Sequence, residues 1–421
     1  MKKFSLIGSV QLTSITYVLT SFAGVILYLM IYSLFDISTI GKFSIYQTMI
    51  FFGSRIISLG TQFSLMKHNS QNFNDRVNLS YLLTTIFIIS TFFVLNISLY
   101  QISIFRNFAL QVPYIDIAAE VSVAILMFAI NGLFKTFFNS YKDFLFYNTS
   151  YISRTLFSIL FVYLYYLNEF SEFYLIFVLT ELFLFFINVS LLAIRFNMYF
   201  IKDFKSICSQ HIDFIKNSFI SSFLTEISFR IDIYCVAVFL GEYYAGIYAL
   251  IAVIGEGFQG LLYMVRNIVT PNINIESLQK NSYDFQKFIK KIFKTTNIIS
   301  FTSSLLLLGF ILLLSNNVPI INELGLDGTI SVGVILIGFS FLSIFKAFES
   351  TLLQVGFQGL HTIGLLILAL TNVSLNIAFL DAGVVGVSLA TVLSHLIFYI
   401  FIFYNVYRKF QFNFLKKIIY K

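Results

Sequence analysis

Residues 173–194 have the sequence FYLIFVLTELFLFFINVSLLAI, in which Glu181 is the one charged side chain. A helix of this length is about 33 Å long at about 1.5 Å per residue, enough to cross a hydrocarbon core about 30 Å thick. The same length and apolar composition recur along the chain and predict about twelve membrane-spanning helices. The other predicted spans cover residues 6–34, 41–66, 79–99, 114–138, 149–167, 216–240, 245–269, 289–315, 329–352, 362–380 and 384–405.

The composition of the whole chain indicates a membrane protein. Of the 421 residues, 58% are hydrophobic and 11% are charged, whereas soluble domains carry about 25% charged residues. No soluble fold could bury this much apolar side chain, so lipid must be the solvent for most of the chain. We therefore predict an all-α, polytopic membrane protein. The apolar run that follows Lys3 is longer than the hydrophobic region of a signal peptide, and we expect it to be retained as the first span.

The Lys and Arg residues predict the orientation of the spans. They are concentrated in the even-numbered connections and in the C-terminal tail, whereas the odd-numbered connections are mainly acidic. Because cytoplasmic loops carry the excess of Lys and Arg, we expect both termini to be cytoplasmic. This topology accounts for the net charge of +7, so no nucleic-acid partner is expected.

Internal similarity predicts two six-helix halves. Residues 41–45 and 246–250 open the second and eighth spans with similar sequences, and residues 134–137 and 345–348 end the fourth and tenth spans with Phe-Lys-X-Phe. Parallel halves of this kind pack around a central cavity in transporters. The predicted regions are an N-terminal bundle at 1–198, a cytoplasmic amphipathic connector at 199–215, a C-terminal bundle at 216–405 and a basic cytoplasmic tail at 406–421.

Four cations within the predicted spans are candidates for binding an anionic substrate group. They are Arg55, Arg230, Arg266 and Lys346. Arginine has the planar donor geometry that suits phosphate, so Arg55 and Arg230 could attract an anionic headgroup. The alternative for Arg266 and Lys346 is that their side chains extend to the inner headgroups. Helical spacing also allows Arg230 to pair with Glu226, and Lys346 with Glu349, as neutral packing devices.

Four acidic residues within the spans are candidates for coupling transport to H⁺ or Na⁺. Asp232 lies two residues from Arg230, so the two side chains point in different directions along a helix, and Asp232 needs another partner. Glu256 has no cation close to it on its own predicted helix. The other candidates are Glu226 and Glu181.

No catalytic or metal-binding motif is present in the sequence. It contains no GxSxG, Walker A, HExxH or CxxC pattern, and its four histidines are scattered. Neither a resident cofactor nor a metal site is therefore expected, and a disulfide between Cys208 and Cys235 is not expected either. We predict that the protein is not an enzyme.

Several segments resemble the multidrug/oligosaccharidyl-lipid/polysaccharide (MOP) exporter superfamily, and more narrowly the Wzx-type flippases of O-antigen or capsule repeat units. The matching segments are residues 40–45, the region of Gln62, and residues 228–232, 240–248, 269–271 and 376–391. The resemblance implies two six-helix bundles that work by alternating access in the bacterial cytoplasmic membrane. The implied substrate is an undecaprenyl-diphosphate-linked oligosaccharide used in lipopolysaccharide or capsule synthesis. Implied partners are this lipid-linked substrate, the membrane lipids and a polysaccharide assembly machinery.

Members of this group carry a cationic lumen, for which Arg55, Arg230 and Arg266 are the matching candidates. Two alternatives remain open at this point. An ion-coupled multidrug or toxin exporter of the same superfamily would use acids rather than arginines to contact its substrate. A membrane-embedded polysaccharide polymerase would need a large outer loop, whereas the outer connections near 100–113 and 316–328 are short and poor in Arg.

Overall fold

The computed structural model describes residues 6–71, 75–100, 113–141, 143–168, 172–196, 204–269, 283–314, 319–346 and 357–410. Within these ranges every regular element is a helix and no strand is present. Each predicted span overlaps at least one of these helices. The predicted all-α class is therefore confirmed.

The chain divides into two compact units, Met1–Ile227 and Ser228–Lys421. Unit 1 contains helices α1 to α8, and unit 2 contains helices α10 to α15. The boundary falls inside helix α9, Phe204–Leu240. The sequence-based boundaries at residues 198 and 216, and the proposed repeat of six helices, stay predictions.

The helices of unit 1 are α1 Leu6–Leu34, α2 Ile37–Ser58, α3 Thr61–Gln71, α4 Asp75–Tyr100, α5 Ile115–Glu120, α6 Ser122–Ser140, α7 Phe144–Tyr166 and α8 Leu175–Arg195. Helix α6 packs against α2, α3, α4, α7 and α8, and is therefore the central helix of this unit. Its packing face includes Ala124, Ala129, Leu133 and Phe137, which are almost fully buried. This position lets polar side chains on α6 meet those of several neighbours.

The helices of unit 2 are α10 Glu242–Val269, α11 Tyr283–Leu314, α12 Pro319–Glu323, α13 Gly325–Lys346, α14 Gln358–Ala378 and α15 Gly383–Phe410. A short 3₁₀ helix, Leu380–Ala382, joins α14 to α15. Helix α13 packs against α10, α11 and α15, and α15 also packs against α14. Thus α15 lies between α13 and α14 and brings its polar side chains into the interior of the unit.

The predicted span 41–66 is corrected by the structure, which divides it into α2 and α3. Leu59 and Gly60 both have left-handed backbone conformations, with φ of 50° and 69°, and this ends α2. Glycine adopts this conformation at little cost, and it commonly ends a helix. The predicted break near residue 381 is confirmed, because α14 ends at Ala378 and α15 begins at Gly383, which has φ of 59°.

The distribution of side chains is that of a membrane protein. Seven of the described helices are long and apolar enough to cross a membrane. Large apolar side chains are exposed on them, including Ile194 at 76% and Leu306 at 74%, whereas Glu181 and Asp232 are buried. A soluble protein would not expose so many apolar side chains while burying carboxylates. The chain is therefore a multi-pass membrane protein.

Candidate functional site

Arg55, near the end of α2, forms an ion pair inside unit 1. Its Nε donates to Oε2 of Glu226 at 2.9 Å, and its Nη1 donates to Oε1 of Gln62 at 3.0 Å. The side chains of Arg55 and Glu226 are 28% and 13% exposed. The guanidinium is thus neutralised and held from two sides while one part of it stays accessible.

A glycine on α6 makes room for the Gln62 side chain that holds Arg55. A Cβ atom at Gly132 would lie 2.6 Å from Nε2 of Gln62. Any larger residue at position 132 would therefore push Gln62 away from its place. Gly132 is one turn before Lys135 on the same helix, so Arg55, Gln62 and Lys135 are all arranged around α6.

A second buried ion pair in unit 1 joins Arg154 on α7 to Glu181 on α8. Nε of Arg154 lies 2.7 Å from Oε1 of Glu181, and Nη2 donates to Oε2 at 3.0 Å. Asn131 on α6 donates to Oε2 and to the backbone oxygen of Glu181, both at 2.9 Å, and Asn188 donates to Oδ1 of Asn131 at 3.0 Å. The guanidinium of Arg154 also lies over the ring of Phe128, 4.1 Å from its centroid. This network fastens three helices together.

Unit 2 has its own ion pair, between Arg230 on α9 and Glu256 on α10. Nη1 of Arg230 lies 3.2 Å from Oε1 of Glu256, and Nη2 donates to Oε2 at 3.4 Å. The distances are longer than in the Arg154–Glu181 pair, and the Glu256 side chain is 39% exposed. Of the two pairs, this one is therefore the more open to competition from a ligand.

Asp232 is buried in unit 2 among neutral hydrogen-bond partners. Nδ2 of Asn376 donates to Oδ1 at 2.8 Å, and the hydroxyls of Thr391 and Tyr248 lie 2.8 Å and 3.2 Å from Oδ2. Oδ1 of Asn372 accepts from the same Asn376 amide at 2.7 Å. Among the described residues, no Lys or Arg forms an ion pair with this carboxylate. Within the described part of the chain, the side chains that hydrogen-bond to this carboxyl group are all neutral.

A small cavity of about 30 Å³ opens beside Asp232. Its polar lining includes Asp232, Glu256, Gln259, Thr391 and His395. Gln259 is only 7% exposed, and within the described ranges its Oε1 has no hydrogen-bond partner. The cavity gives the buried carboxylate a polar approach with room for about two water-sized molecules or a largely dehydrated ion.

The structure locates most of the predicted site residues. Arg55, Arg230, Asp232, Glu256, Glu226 and Glu181 are all described. The side chains of Arg266 and Lys346 lie outside the described part, as does Glu349, so the predicted pairing of Lys346 with Glu349 stays a prediction. The ion pairs seen for Glu226 and Arg230 join them to Arg55 and Glu256 respectively, which the spacing along the helix did not predict.

Other site residues were missed by the sequence analysis. Arg154 is a charge in the predicted span 149–167 and could have been found by the same rule that identified Arg55. Gln62, Asn131 and Asn376 could not have been found that way, because neutral polar residues in a span carry no comparable signal. Among the described residues no group of three or more His, Cys, Asp or Glu could hold a metal ion.

Comparisons of the sequence with protein families and with curated proteins find no match. Solved structures, in contrast, resemble the chain over almost its whole length. The lipid II flippase MurJ in an inward closed conformation matches with a TM-score of 0.62 and 17% identity, covering 95% of this chain and 87% of MurJ.

Two MATE structures match equally well. An inward-facing multidrug resistance MATE family transporter of the MOP superfamily has a TM-score of 0.62 and 11% identity, covering 94% of this chain and 96% of the transporter. A MATE in complex with MaL6 has a TM-score of 0.62 and 12% identity, covering 97% of each chain. The chain therefore has the fold of a lipid II flippase and of MATE transporters of the MOP superfamily.

Proposed function

We propose that this protein is a secondary flippase for undecaprenyl-diphosphate-linked oligosaccharide repeat units. It moves them by alternating access from the inner to the outer face of a bacterial cytoplasmic membrane, for O-antigen or capsule synthesis. The fold shared with a lipid II flippase supports this proposal. Lys and Arg are concentrated in the even-numbered connections and in the C-terminal tail. This distribution supports an orientation in which both termini are cytoplasmic.

The observation that carries the proposal is that two arginines in predicted membrane spans are partly accessible. Arg55 and Arg230 each have a carboxylate partner, Glu226 and Glu256. Charged residues within a span are costly and are typically retained for function. A diphosphate offers the guanidinium the same bidentate geometry as a carboxylate and carries more charge, so it can replace the glutamate. Release of the substrate would let the ion pair form again.

We further propose that Asp232 couples transport to the movement of Na⁺ or H⁺. The other three acid candidates, Glu181, Glu226 and Glu256, are each neutralised by an arginine. The side chains of Thr391 and Asn376 both contact the carboxyl group of Asp232 and carry oxygen atoms. Oδ1 of Asn376 has no hydrogen-bond partner within the described ranges. A carboxylate with amide and hydroxyl oxygens beside it is a ligand set that suits a hard cation.

The proposal is tested with the purified full-length protein in proteoliposomes. A fluorescent polyprenyl-diphosphate-linked oligosaccharide is placed in both leaflets, and its protection from a membrane-impermeant quencher is followed after a Na⁺ or pH gradient is imposed. We expect gradient-dependent translocation by the wild type and its loss in Arg55→Ala and Arg230→Ala. Normal translocation by both variants would contradict the role of the arginines.

An ion-coupled multidrug exporter is the second candidate, because MATE structures match the fold as well as the flippase does. The same proteoliposomes distinguish the two functions when they are loaded with a fluorescent organic cation such as ethidium. Gradient-dependent ethidium movement without translocation of the lipid-linked oligosaccharide would favour the exporter. An anionic substrate fits the site better, because three of the four candidate acids, Glu181, Glu226 and Glu256, are already engaged by arginines.

A further inference from the structure

Lys135 is a cation in the interior of unit 1 that differs from the arginines around it. Its side chain extends from the central helix α6 and is half-buried. Among the described residues no carboxylate lies within salt-bridge distance of its ammonium group, whereas Arg55 and Arg154 both have such a partner. Lys135 is therefore a cation whose charge is not matched by an ion pair.

Two tyrosine rings of α7 hold the ammonium group of Lys135. Nζ lies 4.7 Å from the ring centroid of Tyr151 and 6.0 Å from that of Tyr147. The two rings are one helical turn apart and nearly parallel, with 17° between their planes. Contacts between a cation and aromatic rings offset only part of the cost of removing an ammonium group from water, so this arrangement leaves the charge in need of an anion.

The charges around Lys135 do not balance. Its electrostatic neighbours are Arg55, Arg154, Glu181 and Glu226. Among these five described side chains, three cations face two carboxylates, and both carboxylates are already engaged by arginines. The excess positive charge of this cluster resides on Lys135.

The direction of the side chain argues against simple extension to the lipid headgroups. Lys135 is five residues before the end of α6 at Ser140, about 7.5 Å along the helix axis, so its side chain could reach toward the membrane surface. Instead, Nζ lies over Tyr151, which is seven residues into α7 and on the same side of that helix as Arg154. The side chain is thus directed into the group of charged residues.

We propose that Lys135, placed by Tyr147 and Tyr151, binds a phosphate group of the lipid-linked substrate. This inference rests on the proposed flippase function and adds a specific contact to it. The arginines must first separate from their glutamates, but Lys135 needs no such exchange. It can therefore contact the phosphate first, and the arginines can then exchange partners while the substrate is already held.

Binding of a polyprenyl-diphosphate-linked sugar to the purified full-length protein in phosphatidylcholine nanodiscs tests this inference. We expect Lys135→Met to raise the Kd about tenfold to a hundredfold, the range for losing a hydrogen bond to a charged group. Lys135→Arg should retain most of the affinity. Tyr151→Phe should also retain it, and Tyr151→Leu should weaken binding, because only the ring face places the ammonium.

Lys42→Met is the matched control. Nζ of Lys42 also lies over an aromatic ring, 5.4 Å from the centroid of Phe173, but it belongs to the start of α2 and not to this cluster. Its loss should leave the Kd unchanged. Equal thermal stability of Lys135→Met and Lys42→Met, measured without ligand, shows that both variants are folded.

The outcomes separate this inference from the proposed function. Wild-type affinity in Lys135→Met, with translocation intact, would overturn the role of Lys135 and leave the flippase proposal standing. Absence of binding and translocation in the wild type would overturn the flippase proposal itself. Phosphatidylglycerol is the other source of a phosphate group. If Lys135→Met loses bound phosphatidylglycerol in native mass spectrometry but keeps the wild-type Kd for the substrate, the site belongs to a phospholipid and the inference fails.

Discussion

Arg55 and Glu226 are 171 residues apart in the sequence, and a hydrogen bond of 2.9 Å joins Nε of Arg55 to Oε2 of Glu226. This pair occupies part of the arginine's hydrogen-bonding capacity. Under the proposed function, an anionic substrate group would compete with Glu226 for Arg55. The proposal therefore predicts that Glu226, as well as Arg55, affects the affinity for the substrate.

Replacing Glu226 should strengthen substrate binding. In Glu226→Gln the competing charge is absent, and we expect the Kd for a polyprenyl-diphosphate-linked sugar to fall about tenfold, which corresponds to about 1.4 kcal/mol. Translocation should slow in proteoliposomes, since release becomes harder. Glu242→Gln, at an exposed helix start, is the control and should behave as the wild type. Weaker binding by Glu226→Gln would mean that Glu226 contacts the substrate itself.

Removing Arg154 should destabilise unit 1 more than removing both members of its ion pair. Arg154→Met removes the ion-pair partner of the buried Glu181, and the loss of one partner from a buried pair costs about 3–5 kcal/mol. In Arg154→Met/Glu181→Gln the buried charge is gone and the amide can still accept from Asn131, so much of this stability should return. Thermal unfolding in detergent measures the difference. Equal stability of the single and double variants would show that Arg154 and Glu181 do not stabilise the protein through their ion pair.

The fold could be predicted largely from composition and local pattern. Apolar runs of about 20 residues defined the spans, and the break predicted near residue 381 lies between the end of α14 at Ala378 and the start of α15 at Gly383. The break between α2 and α3 was missed, because Leu59 and Gly60 interrupt an apolar run without changing its composition. Hydropathy measures whether a segment can enter lipid, and it is insensitive to a local change of backbone direction.

The site was only partly predictable, because its contacts are made between helices. The sequence identified Arg55, Arg230 and Asp232 as charges inside spans, and helical spacing suggested partners three or four residues away. The partners that the structure shows for Arg154 and Arg230 are 27 and 26 residues away, on the next helix. Which faces of two helices meet depends on packing of the whole bundle, and the sequence of either helix alone does not determine it.

A bound cation should stabilise the protein through Asp232. If the coupling ion is Na⁺, a concentration about 100 times its Kd stabilises the folded protein by about 2.7 kcal/mol, so the Tm should rise in NaCl relative to choline chloride. Asp232→Asn keeps the shape and should abolish this rise, whereas the exposed Asp381→Asn should not. If the coupling ion is H⁺, the wild type should show no Na⁺ effect but a pH-dependent Tm that Asp232→Asn removes. Identical behaviour of Asp232→Asn and the wild type in both measurements would exclude Asp232 as the ion site.

The turn between α14 and α15 should control the same ion site from a distance. A Cβ atom at Gly386 would lie 2.0 Å from the backbone oxygen of Phe379, which cannot move aside as a flexible side chain could. Gly386→Ala should therefore force the two helices apart and cost about 1–3 kcal/mol or more, as overpacking does. In Gly309→Ala the new methyl meets nothing within 4 Å, so that control should be neutral or stabilising.

Gly386→Ala should also reduce the rise in Tm that the bound ion produces. Asn376 precedes the turn and Thr391 follows it, and both contact the carboxylate of Asp232. A change in the spacing of α14 and α15 would separate these two partners, so the ion-dependent rise in Tm should be smaller in Gly386→Ala although Asp232 is intact. Gly309→Ala should keep the full rise. A full rise in Gly386→Ala, despite lower stability, would show that the Asp232 site tolerates movement of the turn.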